Sequence, residues 1–197
     1  AASDVYKRQP LIRNLIIINV VVFLIQKLLP ISEQFLMLWP IDSGYFQLYQ
    51  LFTYMFAHGG MMHIFFNMLA LASFGPILES YWGDKKFLIF YIATGIGAGL
   101  IYGAINLFTG TGGPMLGASG ALYGILMAFG MVFPNLEIML LFPPIPLKAK
   151  YMVFVMGFMT YAMDSSGQVA HAAHFGGAAV AFVIISIWKA QGRNRGW

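Results

Sequence analysis

The chain has 197 residues, 59% of them hydrophobic and only 9% charged. An ordinary soluble domain carries about 25% charged residues, so a water-surrounded globule is excluded and a membrane protein is expected. The net charge of +4 comes from 11 basic and 7 acidic residues; the basic ones sit in short clusters beside apolar runs rather than along one stripe, so nucleic acid is not the expected partner. No cysteine is present, which removes disulfides, thiolate metal sites and cysteine nucleophiles together.

The opening AASDVYKRQ lacks the n-region, apolar h-region and cleavage site of a secretory signal. Residues 1–10 are assigned to a tail outside the fold. Six apolar runs follow, at about 11–29, 57–78, 87–108, 115–133, 149–163 and 168–188. A hydrocarbon core about 30 Å thick takes about 20 residues per helix, so the length of the chain is consumed by six spans and short connections. The fourth and fifth runs are short for a full crossing, which predicts ends sunk below the surface or covered by neighbouring helices. The expected fold is an all-α membrane protein, a six-transmembrane-helix bundle over 11–188, with a basic tail at 189–197.

Between the first two runs, Pro30 to Ala57 holds Trp39, Tyr45, Phe46 and Tyr49. Aromatic side chains with a polar tip favour the headgroup level, so this stretch is expected to be a loop partly embedded in the interface. With the N-terminus in the cytoplasm, Lys7, Arg8, Arg13, Lys85, Lys86, Lys148, Lys150, Lys189, Arg193 and Arg195 all fall inside and only Lys27 outside. That asymmetry predicts cytoplasmic termini, and spans two, four and six then run from outside to inside.

Strongly polar side chains within a span are costly and mark a functional pathway by default. Here they are His58, His63 and Asn67 in the second run, Ser119 in the fourth, and His171 and His174 in the sixth. Ser119 lies about six residues past Gly113, roughly 9 Å deep, and His174 about seven past Gly167, roughly 10 Å deep. His63 and Asn67, one turn apart on one face, enter the same slab. The serine is flanked by small residues in Gly117-Ala118-Ser119-Gly120-Ala121-Leu122-Tyr123-Gly124, and His174 by Ala173, Gly176, Gly177 and Ala178. Two small-residue faces allow helices to approach until a hydroxyl and an imidazole are within the roughly 3 Å that general-base activation needs. Packing alone accounts for the glycines about as well, and a single intramembrane serine is more often bonded back to its own turn. The matching histidine is what lifts Ser119 above that reading, and Asn67 and His63 supply N–H donors suited to a developing oxyanion. Asp164 is the nearest carboxylate, before the sixth span, so a Ser-His dyad is expected rather than a triad. By spacing alone, His171 and His174 both qualify as the base.

Three segments carry a resemblance to the rhomboid family of intramembrane serine proteases. His58-Gly-Gly-Met-Met-His63-Ile-Phe-Phe-Asn67 resembles its second-span motif, whose last His and Asn line the oxyanion hole. Gly117-Ala118-Ser119-Gly120 resembles its GxSG motif, and Ala173-His174-Phe175-Gly176-Gly177 its sixth-span AHxxG motif. GxSG alone is weak, because soluble hydrolases share it; the three in order on alternate spans are specific. The resemblance covers about Leu11 to Trp188 and implies Ser119 as nucleophile, His174 as base, and His63, Asn67 and the Ser119 N–H as the oxyanion hole. Gly117, Gly120, Tyr123 and Gly177 are implied to support the site, Tyr123 by packing on the histidine ring. Glu79 resembles a structural acidic position. Two departures stand out: Tyr49-Gln50 replaces a Trp-Arg pair frequent before the second span, and Ala181 replaces a Gly four positions beyond Gly177.

The resemblance further implies cleavage of transmembrane substrates entering beside the fifth span, with no metal or cofactor. The compact six-span form suggests a bacterial inner membrane. Other classes fit less well. No His is followed by Glu as HExxH requires, and the spans hold no aspartate pair. A metal site from His58, His63, His171 and His174, a binding protein that holds membrane clients uncut, and a proton-coupled transporter remain rivals; the last would show internal repeats.

Overall fold

A computed structural model describes residues 10–139, 144–163 and 170–193. Each predicted apolar run gives one helix: α1 (Pro10–Leu28), α4 (Met61–Trp82), α5 (Asp84–Thr109), α6 (Ser119–Val132), α7 (Ala149–Met163) and α8 (His171–Arg193). Between α1 and α4 lie two short helices, α2 (Ser32–Leu36) and α3 (Gln50–Thr53), and a 3₁₀ turn at Tyr54–Phe56. Among the described residues four helices, α1, α4, α5 and α8, are long and apolar enough to cross a membrane. Their outward faces carry exposed Ile17, Val21, Leu24, Phe65, Phe66, Leu100 and Phe182, as a lipid-facing surface requires. The chain is thus a helical membrane bundle. Asp164, Gly167, Lys7, Arg8 and Arg195 lie outside the described residues.

The fourth and fifth runs are short, as expected. The 14 residues of α6 extend only about 21 Å at 1.5 Å per residue. Nothing forces this helix to match the bilayer, because α8, α5, α7 and α4 all pack around it and the stretch from Gly120 to Leu126 is buried throughout. Irregular backbone at membrane depth is tolerated where protein encloses it, and the segment 113–118 leading into α6 uses that shelter. Among the described residues the only sheet is a hairpin, β1 (Glu137–Met139) paired antiparallel with β2 (Pro146–Lys148). Apolar periodicity gave no sign of it.

Two buried polar links fix α1. Glu79, 1% exposed near the end of α4, accepts from the backbone N–H groups of Leu11 (3.3 Å) and Ile12 (3.2 Å). Those donors belong to the first turn of α1 and have no intrahelical partner, so the carboxylate caps the helix. Farther along, Gln26 and the His58 backbone exchange hydrogen bonds: His58 N–H donates to Gln26 Oε1 at 2.9 Å, and Gln26 Nε2 to the His58 carbonyl at 3.4 Å.

The stretch from Pro30 to Ala57 is more ordered than a surface loop. Gln50, 2% exposed, accepts from Gln47 N–H (3.0 Å) and Trp39 N–H (3.4 Å) and donates to the Tyr45 carbonyl (3.1 Å). The residue that departs from the expected Trp-Arg pair is therefore the hub of this segment. Exposed Phe35, Ile41, Tyr45, Leu48 and Tyr49 suit the interfacial placement expected for it.

Replacing Glu79 with Ala should leave the first-turn donors of α1 uncapped at a cost of about 1–3 kcal/mol. Thermal unfolding in detergent should show a midpoint lower by roughly 2–10 °C, with a smaller loss for Glu79→Gln, which keeps one acceptor oxygen.

Candidate active site

The site is built from the approach to α6. Leu38 and Met115 form an isolated antiparallel bridge, their N–H groups and carbonyls bonded at 2.8 and 2.9 Å. Tyr54 then takes over: its carbonyl accepts from Gly117 N–H at 2.8 Å, and its hydroxyl donates to the Gly95 carbonyl of α5 at 2.6 Å. Tyr102 of α5 donates to the Gly113 carbonyl at 2.9 Å. The stretch 113–118 is thus held in a non-helical path by α5 and by the segment before α4. Gly117 turns it with φ +126°, and a Cβ there would lie 2.7 Å from the His63 ring; both the backbone angle and the close ring demand glycine.

Ser119 consequently stands at the head of α6, not a turn inside a helix as its distance from Gly113 suggested. At that position its own N–H lacks an intrahelical acceptor, and the positive end of the helix favours negative charge beside it. His174 lies in the first turn of α8, and its Nε2 is 2.9 Å from Ser119 Oγ. The two helices meet at glycine: a Cβ on Gly177 would run into the Gly120 carbonyl, and one on Gly120 would lie 2.7 Å from Ala98 Cβ and 3.3 Å from the Tyr54 hydroxyl.

Tyr123, one turn after Ser119, lies parallel to the His174 ring at 4.2 Å between centroids and 11° between planes. Its hydroxyl reaches α7, 2.8 Å from Thr160 Oγ1 and 3.0 Å from the Met156 carbonyl. Thr160 itself donates to Met156 at 2.8 Å. The imidazole is 8% exposed, and its Nδ1 has no hydrogen-bond partner among the described residues.

On the other side of Gly117 stands α4. Asn67 is 7% exposed, and its Nδ2 is buried without a partner among the described residues. Within 3.6 Å of a Cβ built on Gly117, that amide and the His63 ring both line the turn preceding Ser119. His58 is fully buried, bonded through its backbone to Gln26, and meets the His63 ring edge-on at 5.1 Å. His171 packs edge-on against Tyr161 at 5.3 Å and against His174 at 6.0 Å. Of the two histidines, His174 is the one bonded to Ser119 Oγ. Among the described residues no three His, Asp or Glu side chains converge as metal ligands.

The structure brings Ser119, His174, Gly120, Tyr123 and Gly177 into one contact set, and places Gly117, His63 and Asn67 beside it. Sequence reasoning missed Tyr54, Tyr102 and Thr160. A tyrosine in an interfacial segment and a threonine in a short apolar run carry no local signal of these long-range bonds.

The fold is a helical membrane bundle, with a serine and a histidine paired at the heads of two glycine-packed helices. The rhomboid domain profile matches residues 45–190, and the chain belongs to the rhomboid family. It is 35% identical over 129 residues to "Rhomboid protein 1, mitochondrial" of Saccharomyces cerevisiae, covering 62% of this chain and 37% of that one. It is 30% identical over 142 residues to the human "Presenilin-associated rhomboid-like protein, mitochondrial", covering 68% and 35%. With "Rhomboid protease GluP" of Bacillus subtilis it shares 40% identity over 80 residues, 41% of this chain and 15% of that one. The chain thus spans little more than a third of the mitochondrial relatives. The yeast and human relatives are named as mitochondrial, and the Bacillus protein is named a protease.

Replacing Gly177 with Val should force α6 and α8 apart at a cost of about 1–3 kcal/mol, read as a lower unfolding midpoint. Tyr123→Phe keeps the ring stack and loses the bonds to α7, so it should destabilise by only about 0.5–1.5 kcal/mol, and Tyr123→Ala by clearly more.

Proposed function

We propose that the chain is a serine endopeptidase that cuts transmembrane substrates inside the bilayer, with Ser119 and His174 as a catalytic dyad. The observation carrying this reading is the 2.9 Å contact between Ser119 Oγ and His174 Nε2, beside a buried amide on Asn67 that has no partner among the described residues. Nε2 accepts the serine proton, which puts the ring's own proton on Nδ1 and makes the imidazole a general base. Ser119 Oγ attacks the scissile carbonyl carbon and the tetrahedral oxyanion forms. Asn67 Nδ2, the Ser119 N–H and the His63 ring stabilise that charge, each such donor being worth about 3–4 kcal/mol in soluble serine proteases.

His174 then gives its proton to the departing amine, leaving an acyl-enzyme on Ser119. Water arriving from the outer end gives up a proton to His174 as its oxygen attacks the ester carbonyl; the C–Oγ bond then breaks, His174 returns the proton to Ser119 Oγ, and the second product leaves as the acid. Tyr123 holds the imidazole plane through both transfers. His171, packed on Tyr161, is not part of the dyad. The substrate is a membrane protein whose spanning helix unwinds near its outer end and enters beside α7. Excess basic residues at the inner ends of the spans orient the chain with both termini in the cytoplasm, in a bacterial cell membrane.

The test is cleavage of a generic single-span substrate in liposomes. Ser119→Ala and His174→Ala should fall to background, a loss on the order of 10⁴–10⁶. Asn67→Ala should lose about 10²–10³, and His171→Ala should stay within about tenfold of the parent. Cleavage that survives Ser119→Ala would overturn the mechanism, and a parent chain that binds the substrate without ever cutting it would favour a client-holding role.

A further inference from the structure

At the end of the bundle opposite Ser119, the C-terminal ends of α4, α6 and α8 and the N-terminal end of α5 enclose a cavity of about 340 Å³. Trp82, Trp188 and Tyr81 line it with Ile185, and Lys86 and Lys189 stand at it. The two indoles meet edge-on at 5.3 Å. The Lys86 ammonium lies over the Trp188 ring, 4.3 Å from its centroid, which holds the charge at the cavity instead of letting it swing into water. Lys189 donates to the Met131 carbonyl at 2.6 Å at the end of α6. An ammonium has three donors, so that bond fixes its position and leaves others for a ligand.

This cavity takes no part in the chemistry at Ser119. Its place on the molecule selects its occupant: it opens where the spanning helices end, at the level at which tryptophan and tyrosine border lipid headgroups. Its volume is in the range of small-molecule sites, its floor is aromatic and aliphatic, and its charged side chains are both cationic. Basic pockets between spanning helices bind anionic headgroups in this way.

We propose that the cavity binds one anionic phospholipid, its phosphate between Lys86 and Lys189 and the upper part of an acyl chain against Ile185, Trp82 and Trp188. The bound lipid ties α5 to α8 at the end of the bundle away from the dyad. This proposal stands whether or not the chain is a protease.

Native mass spectrometry of the detergent-solubilised chain tests it, with dioleoyl phosphatidylglycerol titrated against dioleoyl phosphatidylcholine. One phosphatidylglycerol should be retained in preference to phosphatidylcholine. Lys86→Gln and Lys189→Gln should each weaken its retention about fivefold, and the pair together about thirtyfold. Lys86→Arg with Lys189→Arg should keep it, and Lys27→Gln, at the other end of the bundle, should leave it unchanged. Equal retention of the two lipids, or full retention by the double Gln variant, would overturn the proposal. In nanodiscs of the unaltered chain, acyl-brominated phosphatidylglycerol should quench more tryptophan fluorescence than brominated phosphatidylcholine at the same mole fraction; equal quenching would also overturn it.

Discussion

The close approach of α6 and α8 at Gly120 and Gly177 is the constraint on which the site depends. With a side chain on Gly177 overlapping the Gly120 carbonyl, only glycine lets the two backbones come near enough for Ser119 and His174, at the heads of those helices, to share a 2.9 Å hydrogen bond. Lipid tails are as apolar as leucine, so within a bilayer helices associate through packing and interhelical hydrogen bonds, and small residues allow that packing. Ala98 and Tyr54 close the third side of Gly120, and Gly124 packs on Thr94 in the same way one turn on. A single stripe of small residues on α6 thus positions the serine against both α5 and α8.

A second requirement is that the serine sit at a helix head and not within a helix. Leu38, Tyr54 and Tyr102 hold the stretch 113–117 out of a helix, so that α6 begins at Ser119. This leaves the Ser119 N–H outside the helical ladder, two residues after the Gly117 turn lined by His63 and Asn67. The short α6 becomes intelligible on the same ground. Enclosed by α4, α5, α7 and α8, it has no need to reach either surface, and its head can be sunk where an apolar environment strengthens each polar contact.

Much of this was legible in the residues. The six apolar runs map onto six helices because a membrane demands uninterrupted hydrophobicity, the strongest periodic signal a sequence carries. Polar side chains within spans turn toward the bundle interior, where Ser119 and His174 meet with His63 and Asn67 beside them at Gly117; Asn19, Gln26 and Asn106 of the first and third runs are buried as well, so burial alone does not mark the site. Spacing alone left His171 and His174 tied, because positions three apart on a helix point only about 60° from each other; the bond to Ser119 Oγ separates them. What the residues hid is cooperative over long range. Gln50 organises its segment through bonds to residues 39, 45 and 47, and Tyr54 joins Gly95 to Gly117. The β1–β2 hairpin rests on three paired residues, too short a run for a period-two pattern to register.

The central claim is that Ser119 is made nucleophilic by His174. The most direct test is peptide mapping of the purified chain after reaction with a fluorophosphonate, comparing the parent with His174→Ala. The account predicts a single adduct on Ser119 in the parent and none in the variant. An adduct on another serine, or one on Ser119 that forms equally fast without His174, would contradict it.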